Sequence, residues 1–441
     1  MSNGPMDDAQ PQMTWRRAND GAEVTLIMET SAGVCIRHIP DALPLPPDTD
    51  PGKGAELATH AAAATWGLPD FVFHPSMAEK GSGRRELGDR VVLTGRRGLI
   101  VQVKCRTVAP KSDEAERAWI NKVVGKGMRQ AKGTVRTLNL AAAQMVNGRD
   151  RTLSVAGDAF EWAAVLVLDH PRVPDATVPD WEPIGIPAIT LTRRDWDFLF
   201  DQLRSTTAVV DYLFRAAAEP KGALGEEPLR YYELAAADAE AEPAVIDTDL
   251  VGQGGWQWSA PLLPQAPAGG EGTRAHLMTR IMLEDIATSP LPSSGTEQDR
   301  HVLLSDLDRL PVSARTEWGE LLLDMLGDVQ DVAQGSTKWR FRRMLDPDGT
   351  QQLITGCCTR SDGITREAFR SYIQLRHHEV SERTGLTDAA TLGVLLTPRT
   401  SGSREWDTTC LRICGPSDLD DDELERYRGL WNRAPAPETR L

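Results

Sequence analysis

No run of 18 apolar residues occurs in this 441-residue chain, so no transmembrane helix is expected. Met1 to Gln12 is polar and has no basic stretch followed by an apolar one, so no signal peptide is expected. Metal-binding cysteine pairs are missing as well. The six cysteines, Cys35, Cys105, Cys357, Cys358, Cys410 and Cys414, are scattered, and none forms a CxxC pair. They read as reduced core thiols, which suits a cytoplasmic protein. No G-x-S-x-G, Walker A or G-x-G-x-x-G motif falls between a strand and a helix. Nucleophilic hydrolase, NTPase and dinucleotide chemistry are therefore unsupported. No repeat of fixed period is found.

What is present is an ordinary globular composition, 40% apolar, long enough for two or three domains. The net charge of −15 is unevenly spread: Lys80 to Arg136 holds 15 Lys/Arg against 5 Asp/Glu. A basic island in an acidic chain is the footprint of a polyanion site. The same run also reads as a solvated helix face plus a basic turn at Arg96-Arg97.

Inside that island, Glu86 to Leu93 and Gly98 to Lys104 read as a β-hairpin. In its second strand Ile100, Gln102 and Lys104 share one face, and Leu99, Val101, Val103 and Cys105 share the other. A Gln and a Lys in so apolar a strand need partners, because burying them alone is costly. Asp89 on the neighbouring strand, with a divalent metal and a phosphate, is the proposed partner set.

An Asp followed on the next strand by Gln102-Val103-Lys104 resembles the active site of the PD-(D/E)xK nuclease superfamily, and the Gln variant looks most like its Mrr-type branch. Gly88-Asp89 stands where the family has Pro-Asp. The resemblance covers roughly residues 50–140. It implies a restriction-endonuclease-like mixed α/β core with flanking helices. It also implies Mg2+- or Mn2+-dependent endonuclease activity on nucleic acid, with DNA favoured over RNA. Asp89, the Val103 carbonyl and Gln102 are the implied metal ligands, with Glu56 on the preceding helix as an added carboxylate. Lys104 is implied to touch both the phosphate and the attacking water. Gln130, on the helix after the Lys strand, is implied to orient that water or a backbone phosphate. Where the family more commonly has an acid this chain has Gln102, which weakens metal affinity and leaves the number of metals open. Lys122, Lys126, Arg129 and Lys132 offer a nucleic-acid docking surface on the same helix as Gln130.

Blander readings stand beside these. Glu56 reads as a helix-start residue favoured by the dipole, Gln130 as an exposed helix glutamine, and the trio as a hairpin closed by an Asp89–Lys104 salt bridge.

The organisation expected is a disordered 1–21, a nuclease domain at 22–218, a linker at 219–272 and a C-terminal α+β regulatory or sensing domain at 273–441. In the nuclease domain, Lys80–Arg85 is a basic loop, and Asp113–Asn147 is helical with a break or kink near Gly125 and Gly127. Trp162–Leu168 and Ala188–Leu191 are strands, and Arg193–Ala218 is one amphipathic helix. His377-His378 reads as surface. A nuclease domain beside an unfamiliar module resembles bacterial antiviral defence effectors by analogy, with the second module as the place for a homodimer or partner protein. No membrane partner is expected. Two alternatives compete. One is a non-catalytic nucleic-acid-binding or scaffold protein on a degenerate nuclease fold, which Gln102 favours. The other is a protein–protein adaptor whose basic island meets an acidic partner.

Overall fold

The computed structural model describes residues 13–17, 23–30, 33–75, 77–80, 83–86, 89–240, 263, 270–330, 336–345, 351–385, 389–399 and 406–431. The chain divides into two units, 1–240 with 262–268 and 291–312, and 241–261 with 269–290 and 313–441.

The first unit opens with a three-stranded antiparallel sheet of β1 (Met13–Arg17), β2 (Val24–Thr30) and β3 (Gly33–Ile39). Helix α1 (Pro51–Thr65) follows, started by Asp50, whose side chain accepts the Lys53 N–H. Then come β4 (Val72–Pro75), a small hairpin of β5 (Met77–Lys80) and β6 (Gly83–Glu86), β7 (Arg90–Thr94) and β8 (Arg97–Cys105). After α2 (Asp113–Leu140) lie β9 (Ala143–Asn147), β10 (Thr152–Val155), β11 (Glu161–Asp169) and β12 (Ala188–Thr192). The main sheet has seven strands in the order β10-β9-β4-β7-β8-β11-β12. Strand β7 pairs antiparallel with β4 on one side and β8 on the other, whereas β11 runs parallel to β8 and β12 parallel to β11. The sheet is thus mixed, and the unit is α/β.

Alternation along the strands feeds two cores. On one face Ile120, Val124, Met128 and Leu138 of α2 pack against Phe73, Val91, Ile100 and Leu166. On the other, Ala55 and Ala63 of α1 share a core with Val92, Val101, Val103 and Val165. The central strands are buried on both sides, which explains their near-continuous apolar sequence.

Several expectations change. Residues 13–17 are a strand rather than disordered, and of the expected basic loop Lys80 and Gly83–Arg85 belong to paired strands, the rest lying outside the described residues. Helix α2 runs unbroken past Gly125 and Gly127, then gives way to β9 at Ala143. Gly127 is a contact point instead: a Cβ there would lie 2.3 Å from Leu166 Cδ1. The helix expected over Arg193–Ala218 is two, α3 (Arg193–Leu203) and α4 (Thr206–Ala216). Arg204 ends α3 in the left-handed region at φ 51°, and Ser205 caps α4.

The domain boundaries shift as well. Residues 227–240 of the expected linker form α5, with Tyr231 and Tyr232 buried in the first unit's core. After α6 (Gly270–Thr288), α7 (Glu297–Asp308) returns to the first unit, although it lies inside the expected C-terminal domain. There Asp308 Oδ2 accepts the Thr207 N–H at 2.8 Å and the Ser205 hydroxyl at 3.0 Å, anchoring the start of α4.

The second unit holds α6, α8 (Val312–Gln330), α9 (Gly363–Thr384), α10 (Asp421–Trp431) and a sheet of β13 (Trp339–Leu345), β14 (Gln351–Cys358), β15 (Ala390–Pro398) and β16 (Trp406–Cys414) in that order. Its outer pairs are antiparallel and β14–β15 is parallel. His377 is buried rather than on the surface, held by Thr391 Oγ1 and the Gly415 carbonyl. Among the described residues no helix is long and apolar enough to cross a membrane.

His301 of α7 packs between Phe71 and Phe73, with ring centroids at 5.6 and 5.7 Å. Neither of its ring nitrogens has a hydrogen-bond partner among the described residues, and burial pushes its pKa down to about 4. Below pH 6.5 the unfolded chain takes up a proton that the folded site refuses, so this group's contribution to stability falls from about pH 6.5 to about pH 4. In His301→Phe the loss of melting temperature between pH 7 and pH 4.5 is expected to be smaller than in wild type. Equal losses would remove His301 from the acid response.

Candidate active site

Strand β7 begins at Arg90, opposite Val101, while β8 continues to Cys105. Among the described residues, the last four of β8 therefore run on without a β7 partner. Asp89, just ahead of β7, fills the gap: its Oδ2 accepts the Val103 N–H at 2.7 Å. That contact pins the carboxylate at the point where the two strands part.

Gln102 and Lys104 point to the α2 side of the sheet, as the alternation with Ile100 requires. Gln102 is 3% exposed. The Lys104 ammonium reaches back and donates to the Val103 carbonyl at 2.9 Å, Asp89 Oδ2 at 3.4 Å and Gln102 Oε1 at 3.4 Å. A carboxylate, an amide and a main-chain carbonyl thus converge on one cation. Oxygen donors of this kind are what a hard divalent cation takes, so Asp89, Val103 and Gln102 fit the Mg2+ or Mn2+ that the resemblance implies. The two charged side chains remain about one-fifth exposed, Lys104 at 22% and Asp89 at 19%, so the cluster is open to solvent.

The other expected residues are placed differently. Glu56 sits on α1, which packs on the opposite face of the sheet, so it does not share the face of Gln102 and Lys104. Among the described residues no group of three or more His, Cys, Asp or Glu is arranged to hold a metal. Gln130 lies on α2 three residues beyond Gly127, whose Cβ position would be 3.8 Å from Gln102 Cβ. Asn121 of α2 bonds the Asp180 backbone, in the segment leading to β12. Nine residues on, about two and a half turns, Gln130 lies on the side of the helix opposite Asn121. Its Oε1 is buried and has no hydrogen-bond partner among the described residues. Lys122, Lys126, Arg129 and Lys132 are all exposed on the solvent side of α2.

The loop between β8 and α2 is fixed by a buried carboxylate that the sequence reading did not single out. Glu116 takes Arg106 at 2.8 and 3.0 Å, the Lys111 N–H at 2.8 Å and His170 Nε2 at 3.0 Å. The Arg106 hydrogen bond, then the Lys111 N–H, hold its pKa down to about 2. Trp119 packs on His170 and under the Arg106 guanidinium. His60 and His74 were also missed. Their rings lie 5.7 Å apart on the α1 side, and burial followed by the Arg90 charge pushes His60 down to about 4. The four-residue step from Glu56 to His60 along α1 was the available signal.

Asp89→Ala removes the acceptor of a backbone N–H and the partner of Lys104. A loss of about 1–2 kcal/mol in unfolding free energy is expected from denaturant titration. An unchanged midpoint would mean that water replaces the carboxylate at no cost.

Comparison with known proteins gives no significant match to any protein-family profile, any curated protein or any solved structure.

Proposed function

We propose that the first unit is a metal-dependent nuclease of the restriction-endonuclease-like kind, cutting nucleic-acid phosphodiester bonds, with DNA as the favoured substrate. The observation that carries this reading is the convergence of Asp89, Gln102 and the Val103 carbonyl on the Lys104 ammonium where β7 and β8 part. The mixed α/β sheet is compatible with it at the level of fold class.

Asp89, the Val103 carbonyl and Gln102 would hold Mg2+ or Mn2+, which supplies charge neutralisation at the phosphate and a more acidic water. Lys104 then turns from these oxygens to the phosphate, where a compact ammonium offsets the charge that develops. Gln130 supplies a buried acceptor oxygen to orient the attacking water. The exposed Lys122, Lys126, Arg129 and Lys132 face the nucleic-acid backbone. The second unit is assigned a regulatory or sensing role, with a homodimer or a partner protein docking there.

The competing reading is a non-catalytic nucleic-acid-binding protein on the same fold. It is favoured by the neutral Gln102 and by the lack of three clustered metal-ligating side chains among the described residues.

Cleavage of plasmid DNA and single-stranded RNA with Mg2+, Mn2+ or EDTA separates the two. Metal-dependent cutting is expected, falling by about a hundredfold or more in Lys104→Ala, the range for a lost transition-state contact. Gln102→Glu is expected to keep or raise activity. Undiminished cutting by Lys104→Ala would overturn the mechanism. Nucleic-acid binding without cutting, insensitive to metal and to Asp89→Ala, would select the non-catalytic reading.

Neutralising Lys126, Arg129 and Lys132 together is expected to weaken binding and lower the slope of log affinity against log salt by about 3. An unchanged slope would move the docking surface elsewhere.

A further inference from the structure

A cleft of about 520 Å³ opens in the first unit along the edge strand β12, and neither Asp89 nor Lys104 lines it. One wall is β12 with the proline-rich segment before it, and the other is the turn from α4 into α5. Its size lies in the range of small-molecule sites.

β12 is the last strand of its sheet. The Pro187 carbonyl accepts the Ala164 N–H, so Pro187 and Ile189 turn their polar groups inward to β11. Ala188 and Thr190 must then turn theirs outward, into the cleft. Among the described residues those outward N–H and C=O groups have no partner, and the buried Thr190 Oγ1 has none either. The free edge is short. Pro187 has no N–H, and the Thr192 N–H is taken by Asp195 Oδ2 at 3.0 Å. Two outward residues span about 7 Å, which suits a single small ring system and is too short to pair an extended peptide.

Glu227 closes the floor of the cleft and is 6% exposed. Its Oε1 accepts the Tyr212 hydroxyl at 2.6 Å. Arg230 approaches the other oxygen only to 3.8 Å, its own N–H groups going to the Ala216 and Pro220 carbonyls. Burial pushes the Glu227 pKa up to about 7, so near neutrality the group can meet either a donor or an acceptor. Pro183, Ile184 and Pro220 give the cleft flat apolar sides.

We propose that this cleft binds an amino-substituted nitrogen heterocycle of nucleobase size, read by the outward backbone of Ala188 and Thr190, by the unpartnered Thr190 hydroxyl and by Glu227. A donor beside an acceptor on one planar edge matches the N–H and C=O of an unpaired strand, as the two hydrogen bonds of a strand pair do. Apolar walls take the faces of the ring.

The test is ligand-observed saturation-transfer NMR and calorimetric titration on the full chain, with adenine as probe and purine, which lacks the amino group, as comparison. Adenine is expected to bind more tightly than purine. Ala188→Pro deletes one outward N–H and Thr190→Val one hydroxyl while keeping its shape; each is expected to weaken adenine by about tenfold, the worth of one lost hydrogen bond. Lys104→Ala is expected to bind adenine like wild type, which separates this cleft from the candidate active site. Thr190→Val decides the matter alone if Ala188→Pro does not fold. Absence of adenine binding, equal binding of purine, or full affinity in Thr190→Val would overturn the proposal.

Discussion

Everything at the candidate site depends on an inequality of strand length. Among the described residues, β8 runs four residues past its last pairing with β7, and a strand edge without a neighbour leaves backbone groups unsatisfied. Asp89 satisfies the first of them through Val103 and so acquires a fixed position. Once it is fixed, Lys104 gains an opposite charge within reach, and the buried Gln102 gains a cation for its oxygen. The Glu116 knot holds the other end, where Arg106 and the Lys111 N–H bind the loop leaving β8.

Much of this was legible in the chain. Lys104 and Gln102 stand out because polar groups break an apolar alternation, and burial without partners is costly. The structure gives them partners at hydrogen-bond distance. The α/β class was legible for the same reason, since strands buried on both faces carry long apolar runs. Gly127 misled: glycine lowers helix propensity, yet here it is selected by the close approach of α2 to Leu166, which only the assembled sheet reveals.

The misplaced boundaries share a cause. Ala143–Asn147 carries no turn signal at its start, so it extends the helical pattern until pairing with β4 and β10 claims it. Arg204 is an unusual residue for a left-handed helix end, and what stabilises the break is distant in sequence: Asp308 on α7, which bonds Ser205 and Thr207. The stretch taken for a linker holds two tyrosines that pack with Tyr212 and Phe198, a contact that composition averages away. Local rules fail where a long-range contact outweighs them.

Charge placement separates two roles within one helix. The side of α2 facing the sheet is apolar, and the solvent side carries Lys122, Lys126, Arg129 and Lys132. Gln130 is half-buried, with a buried oxygen that nothing in the described protein satisfies. An unsatisfied buried acceptor costs roughly 1–3 kcal/mol. On the opposite face, α1 carries Glu56 and His60. The candidate site therefore rests on the residue ahead of β7 and on β8, and the rest of the unit keeps those elements in register.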